Sequence, residues 1–110
     1  MATHEFGILR RPPVHGERYD RYEPELCSRL LPVEDGRLEP LLPALEAVSC
    51  FCHTLELPCQ GLVYTGITLI PPDSLAEICE ILRGIPPLEE LRALLRAAAA
   101  EHRFVIHYGI

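Results

Sequence analysis

The chain is expected to fold as α+β: an antiparallel or mixed sheet of about four or five strands, with about three helices packed mainly on one face. Three observations support this. Apolar periodicity switches between short β-rich runs and helical steps of three and four residues. The helical runs come in blocks between paired strand-like runs, rather than alternating with them one by one. The length, 110 residues at 48% hydrophobic and 24% charged, suits one domain around one core. The expected domain is 1–110, with 1–25 as a loosely structured edge segment.

Residues 1–25 carry Pro12-Pro13, Gly16 and Pro24 as breakers. Phe6 and Ile8 suit a short strand before a Pro-bounded loop. Tyr19–Glu23 loosely alternates aromatic and charged residues, as an edge strand or an ordered covering loop would. Leu26–Val33 reads as a strand ended by the turn signal Glu34-Asp35-Gly36. Leu38, Leu41, Leu42, Leu45 and Val48 then set a helical stripe, giving a short helix over about 40–48 once Pro40 and Pro43 are confined to its first turn.

The central element is expected to be a hairpin, 49–57 paired with 62–70. Both runs are rich in β-branched, aromatic and cysteine residues, and Pro58-Cys59-Gln60-Gly61 separates them. Pro71-Pro72 ends the second strand. Ser74 and Glu77 have capping-box spacing, which starts a helix over 74–83 that Gly84 closes. Pro87 and Glu89-Glu90 open a third helix, 87–102. Its expected buried face is Leu88, Leu91, Leu94, Leu95, Ala98 and His102. Phe104–Tyr108 reads as a last strand.

The net charge of −6 argues against nucleic-acid phosphates and anionic membrane surfaces as partners. All ten basic residues are Arg, so lysine Schiff bases and P-loops are excluded. The N-terminal residues lack an apolar run of signal-peptide length, and no stretch is long enough to cross a bilayer. Five cysteines without framework spacing then point to reduced thiols and a cytoplasmic location.

Cys50, Cys52, His53 and Cys59 offer metal-ligand or thiol chemistry by residue type. Strand alternation argues against a joint site. It sends Cys50 and Cys52 to one face and His53 to the other. An extended chain would hold Cys59 about 23 Å from Cys52, at about 3.3 Å per residue. The expected outcome is two core thiols, with Cys59 in the turn as the most accessible cysteine, an incidental surface thiol first and a reactive one as the lesser alternative. The metal set is the lesser alternative, and no cofactor is expected.

The same register gathers Phe51, His53, Tyr64, Gly66 and Thr68 on the reverse face, where His107 joins them if the last strand pairs alongside. Gly66 opposite His53 leaves space for a ligand or another backbone. The face is also apolar enough to call for a cover: residues of the N-terminal segment, a second copy or a partner. No catalytic motif stands out. The expected function is a non-enzymatic protein-binding, accessory or regulatory module, with self-association through the apolar sheet face as one form. A small-ligand or enzymatic module using His53, His107 and Tyr64 is the alternative, followed by a metal- or thiol-dependent one using Cys50, Cys52, His53 and Cys59.

Overall fold

The computed structural model describes residues 2–110. Six strands form one antiparallel sheet: β1 (Thr3–Leu9), β2 (Cys27–Glu34), β3 (Ser49–Phe51), β4 (Pro58–Gln60), β5 (Ile67–Ile70) and β6 (Val105–Tyr108). Their spatial order is β2-β1-β6-β5-β3-β4. The α-helices are two single turns, α1 (Asp35–Leu38) and α2 (Leu42–Leu45), and two longer ones, α3 (Pro72–Leu82) and α4 (Glu89–Ala100). The architecture is α+β, as expected from the periodicity, with slightly more strands.

The long helices follow their leucine stripes. Leu75, Ile78 and Leu82 of α3 and Leu91, Leu94, Leu95 and Ala98 of α4 are buried together over Phe6, Ile8, Val33, Ile70 and Val105 of the sheet. Each fully buried leucine contributes roughly 2 kcal/mol of transfer free energy. His102, expected on this buried face, is exposed because α4 has already ended. It adopts φ 55°, while its N–H donates to Ala99 O and that of Arg103 to Ala98 O. These two bonds make a Schellman-type C-cap with histidine where glycine is usual.

The start of α3 also differs from the expected capping box. The helix begins at Pro72 after Pro71 and has no side-chain cap. Ser74 lies inside the first turn, and its hydroxyl donates to Ser49 O at 2.6 Å, tying α3 to β3. Proline at the first position needs no N–H partner, so the helix can start two residues earlier than the serine spacing implies.

The central hairpin is built differently from the expected 49–57/62–70 pairing. The first strand stops at Phe51. Cys52 N–H donates to Leu57 O at 2.8 Å and Leu57 N–H to Thr54 O, so the chain doubles back. Pro58–Gln60 then pairs with Ser49–Phe51, setting Cys59 opposite Cys50. On the other side of β3, Phe51 faces Leu69, where the expected register put Cys50 opposite Leu69. A one-residue shift exchanges the faces of a strand. Cys50 therefore packs under the helices with Ile70, while Phe51 and Leu69 lie on the reverse side.

The N-terminal residues are not an edge. β1 lies between β2 and β6, with His4, Phe6 and Ile8 buried on its helix side. Residues 10–26 cross the reverse face of the sheet as an ordered loop. Tyr19, only 6% exposed, packs there with Leu26, Leu69, Ile106, Phe51 and Leu55. The apolar face that called for a cover is thus covered by the same chain.

Candidate functional site

The alternation of β1 points His4 toward the helices in step with Phe6 and Ile8. On neighbouring β6, His107 faces the same way and pairs in register with Phe6 and with Thr68 of β5. Both imidazoles are fully buried. His4 Nδ1 and His107 Nε2 are 2.9 Å apart. His4 Nε2 lies 2.9 Å from Asp35 Oδ1, at the start of α1. Tyr64 donates its hydroxyl to Asp35 Oδ2 at 2.7 Å. At the other end, Thr68 Oγ1 lies 3.2 Å from His107 Nδ1 and accepts the Val63 N–H at 2.8 Å.

One direction of donation satisfies the whole chain. Val63 contributes an obligate N–H, so the single Thr68 hydroxyl proton is free to go to His107 Nδ1. His107 then carries its proton on Nε2 and donates to His4 Nδ1, and His4 donates from Nε2 to Asp35. Every member is satisfied with both rings uncharged. No buried side-chain N or O among the described residues lacks a partner.

Electrostatics favour an uncharged His107. Burial, and secondarily the neighbouring His4, push the His107 pKa down to about 3. The hydrogen bond from His4, then that from Tyr64, holds the Asp35 carboxyl below its ordinary range. Tyr64 is raised to about 12, chiefly by its bond to that carboxylate. The relay is a polar seam through the core that reaches solvent at Asp35 and Tyr64.

Three of the six reverse-face candidates meet in this seam: Tyr64, Thr68 and His107. They do so through His4 and Asp35, which the sequence reading missed. His4 had a readable signal in its alternation with Phe6 and Ile8. Asp35 had none beyond its turn. The expected shared surface of His53 and His107 does not form, because His107 is buried among the helices' partners while His53 sits in the 52–57 turn. There its Nε2 accepts from Arg18 Nη2 at 2.9 Å and its carbonyl accepts Tyr19 N–H at 2.7 Å. Phe51 belongs to the reverse-side core. Gly66 precedes β5, accepts Gly109 N–H and shares a small hollow with His53, Arg18 and Asp20.

Cys59 is half-buried in β4, not an open turn thiol. Its pKa is pushed to about 12 by burial first and by contact with Cys52 second. Cys50 is raised to about 12, again mainly by burial. The 23 Å separation inferred for an extended chain does not apply, because the chain reverses between Cys52 and Leu57. Among the described residues, no group of three or more His, Cys, Asp or Glu side chains is arranged to hold a metal ion.

Away from the seam, a groove of about 410 Å³ opens where the 20–22 segment meets β1, β5 and β6. Its walls include Glu5, Asp20, Arg21, Tyr22, Thr65 and Tyr108. Tyr22 is 53% exposed, stands edge-on to Tyr108 and donates its hydroxyl to Glu5 at 2.6 Å. Asp20, Gly66 and Ile67 line both this groove and the His53 hollow, so the two are neighbours. Among the described residues no helix is long and apolar enough to cross a membrane. Comparisons with protein-family models, curated proteins and solved structures gave no match to this chain.

Proposed function

We propose that this chain acts by binding, as an accessory or regulatory module, and that its contact surface is the trough running from Tyr22 past Asp20 to His53. The observation that carries this reading is the trough's shape and lining. Two neighbouring hollows share Asp20, Gly66 and Ile67, and together they offer an exposed aromatic wall and charges of both signs. Such a pair of hollows suits an extended segment of a protein partner, with its side chains seated in turn. Exposed tyrosine beside a polar rim is the usual composition of a contact anchor.

The chemistry-bearing groups support binding over catalysis. The two buried imidazoles are spent on each other, on Thr68 and on Asp35. Burial keeps the Cys27, Cys50 and Cys79 thiols above their ordinary range, and so protonated rather than nucleophilic. Self-association through the apolar sheet face has lost its motive, since Tyr19 and Leu26 already cover that face.

Affinity capture from the native host tests the proposal with three baits: the wild type, Tyr22→Ala with Asp20→Arg in the trough, and Arg96→Ala on the opposite, helical side. A protein retained by the wild type and Arg96→Ala but lost by the trough variant is expected. Retention by all three baits would refute the trough as the contact surface. A second reading keeps the site and changes the occupant, because about 410 Å³ is enough for a small polar ligand. Thermal-shift screening against polar metabolites, with the same trough variant as control, separates the two.

A further inference from the structure

We propose that the N-terminal cover holds a binding site for a small apolar monocarboxylate of benzoate size, and that an occupied site locks the cover onto the sheet. A cavity of about 170 Å³ lies where the cover leaves and rejoins the sheet, between Leu9 of β1 and residues of the 10–26 loop. Its floor is apolar. Leu9 and Tyr19 are buried, and half-buried Leu26 packs with them in the reverse-side core. An apolar cavity of about 150 Å³ takes a benzene ring, so the ligand body is a single ring or a branched chain of similar bulk.

The rim sets the charge. Arg10 donates from Nε to the Glu25 carbonyl at 3.2 Å, and among the described residues its two terminal nitrogens make no hydrogen bond or ion pair. Arg11 engages one terminal nitrogen, with Glu17 Oε2 at 3.1 Å. A guanidinium carries five N–H donors, so most of both forks stay open. The Glu17 carboxylate beside them is already engaged. Its Oε2 holds Arg11, and its Oε1 accepts the Val14 N–H and the Tyr19 hydroxyl. A ligand carboxylate on the Arg10 fork, with its apolar body against Leu9, Tyr19 and Leu26, satisfies both parts of the cavity.

The lining gives occupancy a consequence. Only Leu9 belongs to the sheet. Arg10 and Arg11 open the cover, Glu17 and Tyr19 lie in its middle, and Glu25 and Leu26 close it. The ligand therefore meets both ends and the middle of one loop at once. It binds only while the loop is seated, so binding shifts the loop toward its seated state.

The test titrates the full chain with benzoate, and with benzamide as an uncharged ring of the same size, following amide NMR shifts. Saturable benzoate shifts are expected at Leu9, Tyr19 and Leu26, with benzamide at least about tenfold weaker. Arg10→Gln should weaken benzoate by a similar factor. Leu26→Phe, which fills the cavity, should abolish binding, and Arg83→Gln at the end of α3 should leave it unchanged. Proteolysis within 10–26 should slow severalfold at saturating benzoate. No saturable shift up to about 20 mM benzoate, beyond the weakest Kd expected of a ligand of about nine heavy atoms, would overturn the site. So would shifts centred away from the cavity. Equal affinity for benzamide would overturn the Arg10 contact, and that comparison needs no variant to fold. Binding that leaves proteolysis unaltered would overturn the lock. None of these results depends on what occupies the trough.

Discussion

Mild acid should destabilise this protein through His107. In the folded chain that imidazole is buried, and its pKa is about 3, while in the unfolded chain it is about 6.5. Above pH 6.5 both states hold it neutral and it contributes no pH dependence. As pH falls below 6.5 the unfolded chain takes up a proton that the folded chain refuses, so stability falls, and it continues to fall until pH reaches the folded value. One pH unit is worth about 1.4 kcal/mol, so the loss at pH 5 is about 2 kcal/mol, roughly a 30-fold change in the unfolding equilibrium. That figure holds for any folded pKa well below 5. Urea unfolding followed by far-UV circular dichroism at pH 7.5, 6.5, 5.5 and 5.0 measures it. The control is His107→Gln, whose amide can still donate to His4 Nδ1 and accept from Thr68 without titrating. The wild type should lose about 2 kcal/mol more than this variant between pH 7.5 and 5.0. Parallel pH profiles for the two proteins would refute the neutral buried relay.

Other substitutions probe separate links. His102→Gly should raise stability by about 1 kcal/mol, read as a Tm increase of about 4 °C, because the residue sits at φ 55°. Gly109→Ala should cost about 2–3 kcal/mol in urea unfolding, since its Cβ would stand 2.1 Å from the Tyr64 carbonyl oxygen. Tyr19→Ala should cost about 3 kcal/mol, and residues 10–26 should become sensitive to limited proteolysis, because Tyr19 anchors the reverse-side core. Thr68→Val should cost about 2 kcal/mol by stranding the Val63 N–H and His107 Nδ1.

The two long helices and β2 were legible because their signals are local, whereas the expected 40–48 helix is only a 3-10 turn, Glu39–Leu41, and a single α-turn, Leu42–Leu45. Leucines at three- and four-residue steps fix the buried faces of α3 and α4, and a turn signal bounds β2. The sheet order was not legible, because it depends on contacts far apart in sequence. Phe6 and Ile8 alternate as any short strand would, and nothing nearby says that β1 is central. The hairpin misled for a physical reason. The reversal over 52–57 contains no glycine or proline and is supported instead by the Thr54 hydroxyl on Glu56. Pro58, which looked like a turn residue, is tolerated at the start of an edge strand. The misplaced turn shifted the register by one residue and sent His53 and Thr68 to a shared face they do not have. His107, Thr68 and Tyr64, expected on a ligand or partner face, meet in the polar seam through partners on β1 and α1.

The pairing of β1 with β6 sets the order in which this molecule can be made. Glu5 lies opposite Tyr108 and Ile8 opposite Val105, so the middle of the sheet joins segments about a hundred residues apart. While the chain emerges from the ribosome, β1 can pair with β2, but its other edge stays open until residues 105–108 appear. The β5 edge waits for the same strand. Neither half of the sheet can close without β6, so folding should be a late, concerted event in the millisecond-to-second range typical of distant pairings. A truncation that removes only 105–110 should leave Phe6, Ile8 and Leu69 without a lid, and an aggregating chain rather than a frayed one.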